Sequence, residues 1–209
     1  MPLQNRVTPF GAIVAVAERG LLMGNRGILH DEARRMVRPW QVKRWIACRT
    51  AFRGRRRQVM RPHSYTELFF LDEATAFAAG HRPCAECRHA DYQRFKAAWV
   101  AWSGGPADAG RIDTVLHGDR LEGRGAHQRQ RTYQEDAGAL PDGAFIRLDG
   151  SAWLLWHGQL LAWSAAGYLS RRPLPALSHI EVLTPRALIA VLRAGYRPLV
   201  HPSAEVAGS

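Results

Sequence analysis

The sequence contains few cysteines, almost no lysine and no long apolar run. Three cysteines among 209 residues are too few for the disulfide framework of a small secreted domain. No apolar stretch approaches the roughly 20 residues of a membrane span. The N-terminus also lacks the charged start and apolar core of a signal peptide. These absences predict a protein of the reducing cytoplasm with no membrane partner.

Acidic residues are scarce in the first 62 positions, and the charge of the chain is therefore unevenly distributed. This segment holds 14 basic and three acidic residues, whereas the remaining 147 residues hold 15 of each sign. The whole formal charge of +11 is thus concentrated in less than a third of the chain. All but two of the basic residues are arginines, whose planar guanidinium forks suit phosphate oxygens. The segment predicts binding of a polyanion, with nucleic acid as the leading candidate.

The remaining composition is that of a folded protein, with 46% apolar residues, seven tryptophans and seven phenylalanines. Short strand patterns and amphipathic helix patterns occur along the whole chain, which predicts an α+β fold. The predicted strands cover residues 7–17, 20–29, 43–52, 65–71, 145–148, 152–156, 159–163 and 180–183, and the first two are expected to form a hairpin. The predicted helices cover residues 73–79, 89–102, 112–121 and 185–194. Asp72 is the predicted cap of the first helix. The second helix has an aromatic stripe that is expected to face the core, formed by Tyr92, Phe95, Trp99 and Trp102.

Glycine and proline mark a linker at residues 103–111, whose sequence is SGGPADAGR. This position divides the chain into a basic unit at residues 1–103 and a smaller β-rich α+β unit at residues 112–209. The alternative is that both segments pack as one domain.

The sharpest local motif is the pair Cys84 and Cys87 in a CxxC spacing. Two thiolates at this spacing can hold one Zn²⁺ from a single turn. In a cytoplasmic protein the motif is either half of a metal site or a redox pair. The polar flanks, His81-Arg82-Pro83 before and Arg88 after, favour the metal site over a thioredoxin-like one.

The residues around this motif carry a family resemblance. The run DEATAFAAGHRPCAECR at residues 72–88, with Phe69-Phe70 just upstream, resembles the metal-binding domain at the N-terminus of Ada-type DNA alkylation-response proteins. The resemblance covers residues 65–88. It implies a small α+β zinc module that contacts DNA phosphates, and a role in DNA repair or regulation. In the type protein a zinc-bound cysteine accepts a methyl group from a phosphotriester.

The sequence departs from the Ada pattern at two places. The family has two further cysteines upstream in a C-x3-C spacing, but this chain has Cys48 followed by Phe52 at the partner's position. The proline that follows the second CxxC cysteine is replaced by His89. These departures argue against the methyl-acceptor activity.

Three cysteines and one histidine would complete a tetrahedral zinc site. We therefore predict Cys48, Cys84, Cys87 and His63 as the ligands, because His63 lies between Cys48 and the CxxC motif. The other histidines considered are His30, His81 and His89. The alternative is that the three thiols are reduced and form part of the core.

A cluster of arginines surrounds residues 53–57, where a turn is predicted between residues 43–52 and a returning strand that begins at residue 58. A basic strand-turn-strand of this kind suits a nucleic-acid groove or backbone. The predicted nucleic-acid-binding residues are Arg44, Arg49, Arg53, Arg55, Arg56, Arg57 and Arg61.

A second polar cluster contains His117, Asp119 and Glu122. A histidine near two carboxylates could act as a general base or bind a divalent ion in a nuclease-like site. The spacing matches no strict catalytic motif, and a polar loop is the alternative interpretation.

The leading prediction is a nucleic-acid-binding protein, with DNA favoured over RNA, that has an Ada-like and zinc-containing module. Two alternatives stay open from the sequence. One is a nucleic-acid-processing enzyme that uses His117, Asp119 and Glu122. The other is an RNA-associated or ribosome-associated structural protein that uses the same arginines.

Overall fold

A computed structural model describes residues 1–54, 58–123 and 128–208. Within these ranges the chain forms two six-stranded sheets, a two-stranded ribbon and five α-helices, which confirms the predicted α+β class. No helix of the described ranges is long and apolar enough to cross a membrane.

The first sheet is built from the N-terminal part of the chain. Its strands are β1 (Gln4–Val7), β2 (Ile13–Ala15), β3 (Leu22–Asn25), β4 (Ile46–Arg49), β5 (Leu68–Phe70) and β6 (Arg82–Pro83). They lie in the order β2-β1-β5-β3-β4-β6. The β1–β5 and β4–β6 pairs are parallel, and the other pairs are antiparallel.

Two predicted strand pairings in this sheet are wrong. The segments at residues 7–17 and 20–29 were expected to pair, but β1 forms its hairpin with β2 and β3 pairs with β4 and β5. The predicted basic strand-turn-strand is absent from the described residues as well, because β4 has β3 and β6 as its neighbours and residues 58–60 form no strand. In both cases a strand pairs with segments that are distant in sequence, because packing of the core outweighs the proximity of neighbouring segments.

The second sheet is antiparallel and is built from the C-terminal part of the chain. Its strands are β9 (Tyr133–Glu135), β10 (Phe145–Leu148), β11 (Ser151–Trp156), β12 (Gln159–Ser164), β13 (Gly167–Pro173) and β14 (Ile180–Val182). They lie in the order β13-β12-β11-β10-β14-β9. The predicted strands at residues 145–148, 152–156, 159–163 and 180–183 are confirmed, whereas β9 and β13 were missed. A short ribbon joins β7 (Leu121–Glu122) to β8 (Arg129–Gln130).

The helices are α1 (Glu73–Ala78), α2 (His89–Ser103), α3 (Ala109–Arg120), α4 (Arg186–Arg193) and α5 (Ser203–Val206), with a 3-10 turn at Ala137–Ala139. Asp72 caps α1 as predicted, because its carboxylate accepts a hydrogen bond from Thr75 N at 2.8 Å. The aromatic stripe predicted on α2 is confirmed at Tyr92, Phe95 and Trp99, which are buried, whereas Trp102 at the end of the helix is 44% exposed.

The largest hydrophobic cluster contains residues from both halves of the chain. Phe77, Phe95 and Trp99 from the N-terminal half lie in one cluster with residues such as Ile146 and Leu188 from the C-terminal half. The two segments on either side of residues 103–111 therefore share a core.

Candidate metal centre and adjoining cavity

The three cysteines of the chain lie together on one side of the first sheet. Their sulfur atoms are all within 4.8 Å of one another, and all three residues are buried. Cys48 belongs to β4, and Cys84 directly follows β6. Because β4 and β6 pair in parallel, with Ala47 opposite Pro83, the next residue of each strand falls side by side.

A tight turn brings the third cysteine to the same place. Residues 85–88 form turns directly before α2. The turn is closed by Arg88 N, which donates a hydrogen bond to Cys84 O at 3.1 Å, while Cys84 N donates to Ala47 O at 3.0 Å. Strand pairing and turn together hold the CxxC motif against Cys48.

Backbone N–H groups point at the sulfur atoms. Arg49 N donates to Cys87 Sγ at 3.4 Å. Hydrogen bonds from the Cys48 and Cys87 thiols, together with the N–H groups of Glu86 and Cys87, lower the pKa of Cys84. The same sulfur–sulfur hydrogen bond raises the pKa of Cys48. One member of the group is thus favoured as a thiolate, which is the form that binds metals.

The three thiols fit a zinc ion. Tetrahedral zinc with Zn–S bonds of about 2.3 Å places its sulfur ligands about 3.8 Å apart, which is compatible with sulfur atoms that lie within 4.8 Å. The group contains no histidine or carboxylate of the described residues as a fourth ligand. Three protein ligands leave one coordination position for a water molecule or another external ligand.

The structure places His63 outside this group. It lies at a positive φ of 59°, and its Nε2 is 3.3 Å from Glu32 Oε1 in an exposed pair. His63 does not belong to the group of clustered metal-binding side chains, so the predicted fourth ligand is not brought to the site.

The other three histidines considered as ligands also have partners elsewhere. His30 Nδ1 is 2.6 Å from Thr66 Oγ1, and His89 Nδ1 is 3.1 Å from Ala85 O. His81 Nε2 accepts a hydrogen bond from Arg26 Nε at 3.3 Å.

A cavity of about 530 Å³ adjoins the cysteine group. Four arginines and two carboxylates line it, which gives a positive excess. The charged lining residues are Arg49, Arg88, Arg94, Arg197, Glu73 and Asp91. Arg49 follows Cys48 and Arg88 follows Cys87, so the metal group and the cavity share their backbone.

Arg88 is the buried and fixed arginine of this cavity. Its Nη1 lies 2.8 Å from Glu73 Oε1, and its Nε lies 2.8 Å from Asp91 Oδ2. Glu73 in turn accepts hydrogen bonds from Tyr196 Oη and Leu199 N, each at 2.9 Å. These contacts attach the C-terminal segment to the cysteine turn and bring Arg197 to the cavity.

Three arginines are the exposed cations of the cavity: Arg49, Arg94 and Arg197. They come from the end of β4, from α2 and from the segment after α4. The cavity therefore takes its exposed positive charge from three separate parts of the chain.

The predicted nucleic-acid-binding residues are only partly brought together. Arg49 lines the cavity, and Arg44 and Arg61 are exposed on other segments. The guanidinium of Arg53 lies 5.0 Å from the centre of the Phe52 ring. Arg55, Arg56 and Arg57 lie outside the described residues.

The three residues of the predicted nuclease-like cluster have separate contacts. His117 Nδ1 is 3.1 Å from Arg120 Nη2. Asp119 accepts a hydrogen bond from Ala187 N, at the start of α4, at 2.7 Å. Glu122 pairs with Arg129 at 2.7 Å. They form no metal-binding group in the described part of the chain.

Sequence reasoning missed Arg88, Arg94 and Arg197 as residues of the site. The position of Arg88 directly after the CxxC motif was an available signal. Arg197 had none, because more than a hundred residues separate it from the motif and only the buried Glu73 contacts bring it close.

No protein-family model, curated protein or solved structure matches the chain.

Proposed function

We propose that this protein binds nucleic acid, DNA in preference to RNA, through an Ada-like module in which Cys48, Cys84 and Cys87 hold a zinc ion. The observation that carries the proposal is the arginine-lined cavity beside the three thiols. Zinc would fix the turn that carries Arg88 against the strand that carries Arg49.

Zinc binding is supported by the donor set. Three buried sulfur atoms within 4.8 Å, with a backbone N–H group donating to one of them, have the chemistry of a thiolate site for a soft divalent ion. A zinc ion in this position would lock β4, β6 and the start of α2 together. With three protein thiolates, the fourth coordination position of the bound zinc would be open to an external ligand.

Phosphate binding is supported by the charge of the cavity. Four guanidinium groups face two carboxylates, and three of the arginines are exposed. Arginine forks bind phosphate oxygens in a bidentate manner. The concentration of positive charge in the first 62 residues would add long-range attraction for a polyanion.

The preference for DNA and the link to repair or regulation rest on the resemblance of residues 65–88 to the Ada-type domain. Competition between duplex DNA and duplex RNA of one sequence tests this preference directly. We expect DNA to displace RNA from the protein at equal concentration. Tighter binding of RNA would favour the ribosome-associated alternative.

The salt dependence of DNA binding tests the cavity. We compare the wild type with a variant in which Arg49, Arg94 and Arg197 are replaced by serine, using fluorescence anisotropy of a labelled duplex. The slope of log K against log salt is negative, and each lost phosphate contact makes it shallower by about 0.9. We expect the slope of the triple variant to be shallower than that of the wild type by about 2 to 3.

A charge-matched variant is the control. Arg111, Arg147 and Arg193 are exposed, and none of them lines the cavity. Replacing these three by serine removes the same net charge, so the salt slope should stay close to that of the wild type. Equal slopes for the wild type and the cavity variant would contradict the proposed binding surface.

A further inference from the structure

A second cavity, of about 240 Å³, shares no lining residue with the first. Its wall contains three arginines and the aromatic residues Phe10, Trp40 and Trp45. Arg129 is exposed and pairs with Glu122 at 2.7 Å, whereas Arg26 and Arg120 are buried. The cavity is smaller than the roughly 300 to 1,000 Å³ of pockets for drug-sized ligands. Its volume therefore suits a single phosphate group, and a nucleoside attached to that group would extend beyond the cavity.

The guanidinium groups of Arg26 and Arg120 are almost completely buried. Arg26 is 2% exposed and Arg120 is 1% exposed. Their guanidinium carbons lie 4.1 and 3.9 Å from the centre of the Trp45 ring. Both guanidinium groups therefore stack on the same indole.

Neither guanidinium contacts a carboxylate among the described residues. Arg26 donates to His81 Nε2 at 3.3 Å and to Gly11 O at 3.2 Å. Arg120 donates to Gly80 O at 2.9 Å and to Lys43 O. The segments outside the described ranges contain no aspartate or glutamate, so they offer no side-chain carboxylate either.

The other deeply buried arginines of the chain behave differently. Arg82 forms a bidentate pair with Asp113, with both distances 2.8 Å, and Arg88 pairs with Glu73 at 2.8 Å. This fold thus supplies a carboxylate for buried guanidinium groups elsewhere. The partners of Arg26 and Arg120 are instead backbone oxygens, a neutral histidine and an aromatic ring.

Donor atoms are also left over at this wall. Within the described part of the chain, Arg26 Nη2 and Arg120 Nε are buried and have no hydrogen-bond partner. Buried charges that lack a counter-ion are costly, and so are buried donors that lack an acceptor. Burial lowers the pKa of both arginines, and for Arg120 the charge of Arg26 lowers it further. An external anion would relieve each of these costs.

The Arg120 side chain packs so closely against Gly80 that position 80 has no room for a side chain. Gly80 has a φ of +79°, and a Cβ atom there would come within 2.5 Å of Arg120 Cδ. A glycine is therefore required both by the turn that ends α1 and by the close approach of the arginine.

We propose that the second cavity is a binding site for a small phosphate group, either free phosphate or the phosphate of a mononucleotide, held by the unpartnered donors of Arg26 and Arg120. Two guanidinium groups match the charge of a phosphate monoester, which is close to −2 at neutral pH. Phe10 and Trp40 provide apolar surface on which a nucleobase could lie. The site is separate from the proposed nucleic-acid-binding cavity.

Calorimetry and thermal unfolding of the full chain test this site with inorganic phosphate and with adenosine monophosphate. We expect one equivalent of phosphate to bind and the melting temperature to rise with phosphate beyond the rise given by chloride at equal ionic strength. Tighter binding of adenosine monophosphate identifies a mononucleotide as the ligand, whereas equal or weaker binding identifies free phosphate. No heat and no specific stabilisation with either probe would overturn the proposal.

Variants locate the bound phosphate. Arg26→Lys and Arg120→Lys keep the charge but remove the guanidinium fork, and each should weaken phosphate binding at least tenfold. The variant with Arg49, Arg94 and Arg197 replaced by serine should bind phosphate as the wild type does. If the serine variant loses phosphate binding and the lysine variants keep it, the anion occupies the first cavity and the proposal is wrong. If a lysine variant fails to fold, the serine variant and the wild-type measurements still decide the outcome.

Discussion

At the scale of single residues, the buried carboxylate of Asp72 has more hydrogen-bond partners than its place in the sequence indicates. The carboxylate of Asp72 caps α1 and also accepts hydrogen bonds from Tyr168 Oη at 2.7 Å and from His201 N at 3.0 Å. The sequence predicted only the cap. Asp72 thus attaches α1 to the second sheet and to the C-terminal segment.

We expect Asp72→Asn to lower stability in a pH-dependent way. Burial raises the pKa of Asp72 above its ordinary value of 3.8, so the folded protein holds this proton more tightly than the unfolded chain does. The resulting stabilisation is complete below about pH 4 and declines as the pH rises through the folded pKa. The destabilisation caused by Asp72→Asn should therefore be larger at pH 4 than at pH 7.

Urea unfolding at several pH values measures this difference. Asp108→Asn is the matched control, because Asp108 caps α3 through Arg111 N at 3.0 Å at an exposed position, with 60% of its side chain accessible. We expect a loss of about 1 kcal/mol there from the lost cap. A pH-independent effect at Asp72 would contradict the role of burial.

At the scale of secondary-structure elements, the parallel pair β4–β6 and the turn before α2 create the cysteine group. Neither element is stable alone, since β6 has only two residues. The bidentate pair of Arg82 with Asp113 fixes β6 to α3. The position of the CxxC motif therefore depends on a buried ion pair as well as on strand pairing.

Metal analysis tests the zinc site. Protein purified without chelators should contain about one equivalent of zinc per chain, because three thiolates at this spacing can hold one ion. Cys84→Ser should lose the metal and lower the melting temperature. His63→Ala should keep it, since His63 lies outside the group. A wild-type protein that is folded and free of metal would contradict the proposal.

At the scale of the whole molecule, the two halves of the chain share one large core. The cluster that contains Phe77 and Phe95 also contains Ile146, Val182 and Leu188. Residues 103–111 were predicted as a linker, and α2 and α3 do end and begin within them. The core nevertheless continues across this boundary.

We expect the full chain to unfold in one cooperative transition. Far-UV circular dichroism reports on both sheets and all helices, and tryptophan fluorescence reports on residues in both halves, including Trp45, Trp99 and Trp153. Because the core is shared, the two signals should give one midpoint in urea. Two separated transitions would show that residues 1–103 and 112–209 fold independently.

The sequence by itself determined the features that depend on local pattern. The α+β class, the Asp72 cap, the buried stripe of α2 and the strands of the second sheet at residues 145–163 follow from periodicity and turn residues within short windows. The uneven charge and the CxxC spacing are likewise properties of the sequence alone.

Only the tertiary structure decided which distant residues meet. The β4–β6 pair places Cys48 beside Cys84. His63 lies outside the cysteine group, and Arg197 lines the first cavity. The tertiary structure also set Arg26 and Arg120 against Trp45. The physical reason is that strand partners and buried contacts are chosen by the packing of the whole core, and this choice leaves no periodic signal in any single segment.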